Sequence, residues 1–257
     1  MSRVARLAAE RQAPLLGAAA CTYNPIFAEM VAKVGLDLLW IEMEHAHITF
    51  PEAGDLCRIA SGLGLLTMIR VPDSSRQNVL WAAELGPDIL DLPMANSPDV
   101  VEELVRYGKF APVGERGSFS GSRAANYGFG APYPEQQQRI NEDLCLMIQI
   151  ETKQAVERAE ELCSVPGLDA ILIGPGDLSA SLGLVGQGTH PEVLAAADRA
   201  IAVAKSHGKL VAVAGAPEVW APRGADVIFF TTDVGCTRAG LVEACEKARE
   251  TVPAPNK

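Results

Sequence analysis

Short apolar runs alternate with longer stretches of helical period along almost the whole chain. The runs Leu15–Ala20, Asp37–Glu42, Leu65–Arg70, Asp88–Leu92, Leu144–Ile150, Ala170–Gly174, Lys209–Ala214 and Asp226–Phe230 lack polar alternation. That is the pattern of strands buried on both faces, as in a parallel sheet. Between them, Pro25–Val34, Arg76–Leu85, Ser97–Tyr107, Thr152–Cys163 and Pro191–His207 show helical spacing. Ser97-Pro98-Asp99 reads as a helix start, with a Ser cap and Pro at the first helical position. Eight strands alternating with helices over 257 residues predict one closed (β/α)8 TIM barrel domain covering residues 1–257. A doubly wound open sheet fits less well, because the first strand-to-helix turn has no G-x-G-x-x-G fingerprint. The connection from Ala111 to Glu142 is unusually long and rich in Gly, Ser, Pro and aromatic residues. Connections of that kind tend to be functional, so an ordered loop over the barrel mouth or into a neighbouring subunit is expected.

Composition narrows the function. The chain carries 22 Lys+Arg against 32 Asp+Glu, a formal charge of −10, with 48% hydrophobic residues. An acidic chain without clustered Lys/Arg argues against a nucleic-acid partner. No apolar run reaches the roughly 18–20 residues of a membrane span. The N-terminal MSRVARLAAERQ has helical spacing and no apolar leader-like stretch. A soluble, cytoplasmic protein is expected. The six cysteines show no C-x-x-C pair and no zinc-ligand spacing, and most of them read as small buried hydrophobes.

In such a barrel the chemistry lies at the carboxyl ends of the strands. Strand two ends in Glu42-Met43-Glu44-His45, strand three in Arg70, strand five in Gln149-Ile150-Glu151-Thr152 and strand six in Gly174-Pro175-Gly176-Asp177. Strand seven ends in the small, apolar Ala212–Gly215. Glu151 and Asp177 are 177 − 151 = 26 residues apart, about one βα unit, and so project from adjacent strands. Two carboxylates so placed repel unless a cation or proton lies between them, and a hard divalent cation suits them. Equally, each could cap the helix that follows it. Gly174-Pro175-Gly176 offers backbone N–H groups to a carboxylate or phosphate. Arg70 suits an anion or enolate oxygen, or else an ion pair with Glu42 or Glu44. His45, beside two glutamates, suits a general base. His190 and His207 fall at predicted helix ends and read as structural.

The strings WIEMEHAH, MIRVPD, DLPMANSPD, GERGSFSGSRAANYG, MIQIETKQAVERAEEL and ILIGPGDLSASLG resemble the HpcH/HpaI aldolase family, metal-dependent class II pyruvate aldolases. The resemblance runs from about Gly17 to the C-terminal helix. It implies a barrel of the phosphoenolpyruvate/pyruvate type and a divalent ion (Mg²⁺, Mn²⁺ or Co²⁺) on Glu151 and Asp177. Gln149, Gly174, Pro175, Gly176 and Ala214 would bind substrate. Arg70 would stabilise the enolate oxygen, and His45 would act as base, oriented by Glu42. The implied reaction is reversible cleavage of a 4-hydroxy-2-oxo acid to pyruvate, or a related 2-oxo acid, and an aldehyde, through an enolate on the metal. No lysine follows a strand end as a Schiff-base route would require. Hexamers with exchanged C-terminal helices are also implied, and the terminal amphipathic stretch Val234–Thr251 would serve for that or as an ordinary eighth barrel helix.

Three departures bear on substrate. Relatives have Asp and Gly where this chain has Glu42 and Met43, a Trp where it has Ala18-Ala19-Ala20, and a bulky aliphatic residue near Ala214. The last two predict a wider acceptor pocket. The runner-up within the same chemistry is an oxaloacetate-type decarboxylase. A CoA-ester lyase lacks the basic patch for a CoA tail, and a non-catalytic barrel is at odds with the presence of Glu151, Asp177, Arg70 and His45.

Overall fold

Strands β1 (Leu15–Ala20), β2 (Leu38–Glu42), β3 (Leu66–Arg70), β4 (Ile89–Leu92), β5 (Cys145–Ile150), β6 (Ala170–Ile173), β7 (Leu210–Ala214) and β8 (Val227–Thr232) pair in parallel and in chain order. β8 returns to pair with β1 and closes the barrel. This computed structural model describes residues 1–11 and 13–252. The helices are α1 (Arg3–Glu10), α2 (Pro25–Lys33), α3 (Phe50–Gly62), α4 (Arg76–Glu84), α5 (Pro98–Gly108) and α6 (Tyr133–Asp143). They continue as α7 (Lys153–Glu157), α8 (Ala159–Cys163), α9 (Pro175–Ser181), α10 (Pro191–Ser206), α11 (Pro217–Trp220) and α12 (Asp233–Thr251). The expected single helix Thr152–Cys163 is two, broken at Arg158, whose φ −103° and ψ 11° depart from helical values.

Alternation along the strands divides the core in two. One set of side chains, including Leu38, Trp40, Met68, Ile89, Met147, Leu172, Ala212 and Phe229, fills the barrel interior. Trp40 and Phe229 meet edge to face there, with ring centroids 5.1 Å apart. The intervening residues, such as Leu39, Ile41, Ile69, Leu90, Ile148 and Ile171, pack outward against the helices. This is why the strands read as unbroken apolar runs.

The N-terminal end of the barrel is built for closure. Asp37, Asp88, Asp169 and Asp226 stand just before the even strands. Each accepts a backbone N–H from the preceding odd strand: Leu16 (2.9 Å), Thr67 (2.8 Å), Leu146 (2.9 Å) and Val211 (2.7 Å). These bonds satisfy donors that the ladder leaves free. α1 then covers this end, with Val4 fully buried on the interior cluster. The opposite, carboxyl end is the one left for chemistry.

The segment from Ala111 to Glu142 corrects the expectation of a loop over the mouth. α5 returns the chain to the N-terminal face before the segment begins, and it stays there. Arg123 donates to the carbonyls of Leu85 (2.6 Å) and Gly86 (2.9 Å) at the end of α4, and buried Arg116 pairs with Glu84 at 2.9 Å. Its last third belongs to α6. The run Glu135–Asp143 consists mainly of good helix formers behind Pro134, a signal the loop reading overlooked.

Candidate active site

The alternation that places Trp40, Met68, Ile89 and Met147 inside also places Glu42, Arg70, Asp91 and Gln149 inside, one layer nearer the carboxyl end. All four are buried. Arg70 is the hub. Its Nε and Nη2 each lie 2.6 Å from Glu42 Oε2, and Nη1 lies 3.2 Å from Gln149 Oε1 and 3.0 Å from Glu44 Oε2. The guanidinium sits 5.0 Å from the centre of the Trp40 ring. Burial alone would lower the Arg70 pKa, but Glu42, Asp91 and Glu44 outweigh it and raise the value, so the side chain is a fixed cation. Both ion pairs weighed from the sequence are present, and they brace the guanidinium at the barrel mouth.

Glu42 does not reach the ring of His45. Its Oε1 accepts the backbone N–H groups of Glu44 (2.7 Å) and His45 (2.9 Å), folding the turn after β2 over the strand end. The His45 imidazole is 66% exposed, with Nε2 3.7 Å from Glu44 Oε2. Glu42 thus positions His45 through its backbone, and Glu44 is the carboxylate beside the ring.

Glu151 follows β5 and is 2% exposed. It does not cap α7, because Thr152 does so, accepting the Ala155 N–H at 3.0 Å. Glu151 Oε1 instead accepts the Met94 N–H at 2.6 Å. Met94 holds a left-handed conformation (φ 53°), uncommon for a side-chain-bearing residue, just past β4. Burial raises the Glu151 pKa; the Met94 N–H opposes this, while Asp177 and Glu44 add to it. The Glu44 carboxyl is likewise raised by burial, and Asp177 contributes. Asp177 lies in the first turn of α9, exposed, where Gly174 occupies the cap position without a side chain. Neither carboxylate is spent on helix capping.

Asp177 thus adds to the cost of ionising both Glu44 and Glu151, and Glu44 adds to that of Glu151, a field that a cation relieves. No group of three or more His, Cys, Asp or Glu side chains among the described residues is arranged as a metal cage. A pair of carboxylates completed by water and substrate oxygens is the donor set that magnesium-like ions use, and Glu151 with Asp177 fits it.

Gly174 is needed for close approach. A Cβ there would lie 2.9 Å from both Cβ and Oε2 of Glu151. Gly174→Ala is expected to displace the Glu151 carboxylate and lower turnover by about 10²-fold, as displaced metal-site groups do. Wild-type turnover in the alanine variant would contradict this placement. Ala214, at the end of β7, and Cys21 are half-buried against the interior cluster, which includes Ala19, so small side chains line this side. His190 caps α10, its Nδ1 accepting the Glu192 N–H, and His207 Nε2 lies 2.8 Å from Glu160, so both are structural. Cys57, Cys145 and Cys163 are buried, whereas Cys236 and Cys245 are exposed. Sequence reasoning passed over Asp91, although a charged residue inside Ile89-Leu90-Asp91-Leu92 was a visible signal. Met94 contributes only its backbone, which no residue type announces.

Fold and mouth together define a (β/α)8 barrel with a braced guanidinium among carboxylates at the carboxyl end of its strands. Residues 20–234 match the HpcH/HpaI aldolase/citrate lyase family, and the chain belongs to that family. It is 34% identical over 169 residues to a hydroxypyruvate/pyruvate aldolase of Sagittula stellata, covering 66% of each chain. It is 31% identical over 211 residues to a 2-dehydro-3,6-dideoxy-6-sulfogluconate aldolase of Pseudomonas putida, covering 82% of each. The crystal structure of an HpcH/HpaI aldolase from Desulfitobacterium hafniense superposes with a TM-score of 0.90 at 28% identity, covering 100% of both chains. The protein is an aldolase-type lyase, and the relatives named here give the decarboxylase reading no support.

Proposed function

We propose that the protein reversibly cleaves a 4-hydroxy-2-oxo acid to pyruvate, or a closely related 2-oxo acid, and an aldehyde. The observation that carries this reading is the braced Arg70 guanidinium beside Glu44 at the mouth, where Asp177 adds to the cost of ionising both Glu44 and Glu151. It joins a fixed cation to a metal-competent carboxylate pair. Glu151 and Asp177 would hold a divalent ion such as Mg²⁺, Mn²⁺ or Co²⁺. When bound, such an ion acts as a Lewis acid on the 2-oxo acid and lowers the cost of enolate formation. The backbone of Gly174, Pro175 and Gly176, with Gln149 alongside, suits the substrate carboxylate. Arg70 faces the oxygen on which negative charge develops, and its preset position makes it effective there. His45 takes the proton of the 4-hydroxyl, and its exposure suits proton exchange with water.

The aldehyde would lie toward Ala19, Cys21 and Ala214, where small side chains leave room for acceptors wider than those of relatives with bulky walls. The protein would act in the cytoplasm as a homo-oligomer, a hexamer in the full reading. Residues 236–251 of α12 are exposed, Leu241 at 66% and Val242 at 52%, which supports a helix exchanged with a neighbour over one packed as an eighth barrel helix. No described helix is long and apolar enough to cross a membrane.

The aldol and decarboxylase readings differ in their need for a base. His45→Ala is expected to lower cleavage of a 4-hydroxy-2-oxo acid by about 10²-fold. Oxaloacetate decarboxylation, which needs no such base, should stay within about threefold of wild type. Equal loss of both would remove His45 from the role of hydroxyl base.

A further inference from the structure

Asp91 lies at the level of Arg70 in the β3–β4 register and is fully buried. Its Oδ2 accepts a hydrogen bond from Gln149 Nε2, whose Oε1 in turn accepts from Arg70 Nη1 at 3.2 Å. Its Oδ1 is buried and has no hydrogen-bond partner among the described residues. A buried polar group with half its capacity unmet is costly, and calls for an explanation beyond packing.

The direction of the chain of hydrogen bonds supplies one. A guanidinium only donates, so Gln149 must present its oxygen to Arg70 and its NH₂ to whatever lies behind. Asp91 is the acceptor behind. Without it, the amide gains nothing from this orientation and is free to turn its NH₂ toward the cation, which withdraws one of the supports of Arg70. We propose that Asp91 is a positioning residue, which fixes the Gln149 amide and through it aims the Arg70 guanidinium at the developing enolate oxygen. This rests on the aldolase reading above.

This role requires an acceptor oxygen at Asp91 rather than its charge. Burial raises its pKa well above the ordinary aspartate value; the Gln149 hydrogen bond and Arg70 oppose this, and Glu151 and Glu42 reinforce it. Arg70 is already shared between Glu42 and Glu44, so a further charge would have no free partner. An uncharged acceptor suffices, and the two alternatives, charge and acceptor, predict different behaviour for the Asn variant.

The test uses the full chain with a divalent ion and measures kcat and KM for pyruvate release. Calorimetry of oxalate, a planar dianion shaped like enolpyruvate, and of pyruvate gives a readout independent of turnover. Asp91→Leu is expected to lower kcat about tenfold with KM within about twofold, since Arg70 acts mainly as charge develops. Oxalate should bind about tenfold more weakly, and pyruvate less than about twofold more weakly. Asp91→Asn, which keeps the acceptor without the charge, should restore kcat to within about threefold of wild type. Gln149→Leu should reproduce the oxalate defect with Asp91 intact, and the double variant should be no worse than Gln149→Leu alone. That pair of variants keeps the test open if Asp91→Leu folds poorly. Wild-type kcat and oxalate affinity in Asp91→Leu, additive losses in the double variant, or an Asn variant as impaired as the Leu variant would each overturn the proposal. A wild-type protein that releases no pyruvate would instead overturn the aldolase reading.

Discussion

Glu151→Gln is expected to remove pyruvate release by about 10³-fold or more while leaving the fold as stable as before, or more so. The substitution is isosteric, and the amide oxygen can still accept the Met94 N–H that holds Glu151 Oε1 at 2.6 Å. What is lost is the charge, and with it half of the carboxylate pair proposed to hold the divalent ion, whose Lewis acidity is worth several kcal/mol of barrier. Stability should move the other way. The Glu151 pKa is raised above the ordinary 4.5, mainly by burial, with Asp177 and Glu44 adding to it. The native state therefore holds its proton more tightly than the unfolded chain, and the stability Glu151 contributes falls as pH rises from about 4.5 through the folded value. In the presence of EDTA, the glutamine variant should melt at or above wild type at neutral pH, and the two should converge near pH 4. A variant that loses activity only by unfolding would show a lowered Tm instead.

Arg70→Lys is expected to cost about 10²- to 10³-fold in kcat, the scale of losing a preorganised donor to a developing oxyanion. Lysine keeps the charge but lacks the planar fork. The guanidinium meets Glu42 through both Nε and Nη2 at 2.6 Å while Nη1 serves Gln149 and Glu44. An ammonium cannot span those three acceptors from one position. Glu42 is only 2% exposed, so Arg70→Ala would leave a buried, uncompensated carboxylate and should destabilise the protein by roughly 3–5 kcal/mol. Steady-state kinetics of the lysine variant and thermal melts of the alanine variant separate the catalytic from the structural share. Near-wild-type kcat with lysine would mean that charge alone, without direction, is what the reaction uses.

The frame of the protein was readable from the residues because parallel strands leave continuous apolar runs. All eight were located to within two residues at either end. The strand ends then exposed Glu42, Arg70, Glu151 and Asp177, since charged residues that stop an apolar run stand out. Three things were less legible, for different physical reasons. The path of residues 111–142 depends on which end of the barrel α5 returns to, and composition carries no such information. The bond from Met94 to Glu151, and those from Glu44 and His45 to Glu42, are donated by backbone N–H groups whose side chains give no sign of them. Asp91 was concealed in the opposite way, inside an apolar run whose pattern marked a strand, and its meaning emerged only with the register that sets it near Gln149 and Arg70.

The central claim is that two carboxylates and a braced arginine serve metal-assisted cleavage of a 4-hydroxy-2-oxo acid. The measurement that tests it most directly is pyruvate release from such a substrate before EDTA treatment, after it, and after add-back of Mg²⁺, Mn²⁺ or Co²⁺. The account predicts activity that disappears with thorough chelation and returns with a divalent ion in the wild type but not in Glu151→Gln. Pyruvate release that survives complete chelation would contradict it and release Glu151 and Asp177 from the role assigned to them.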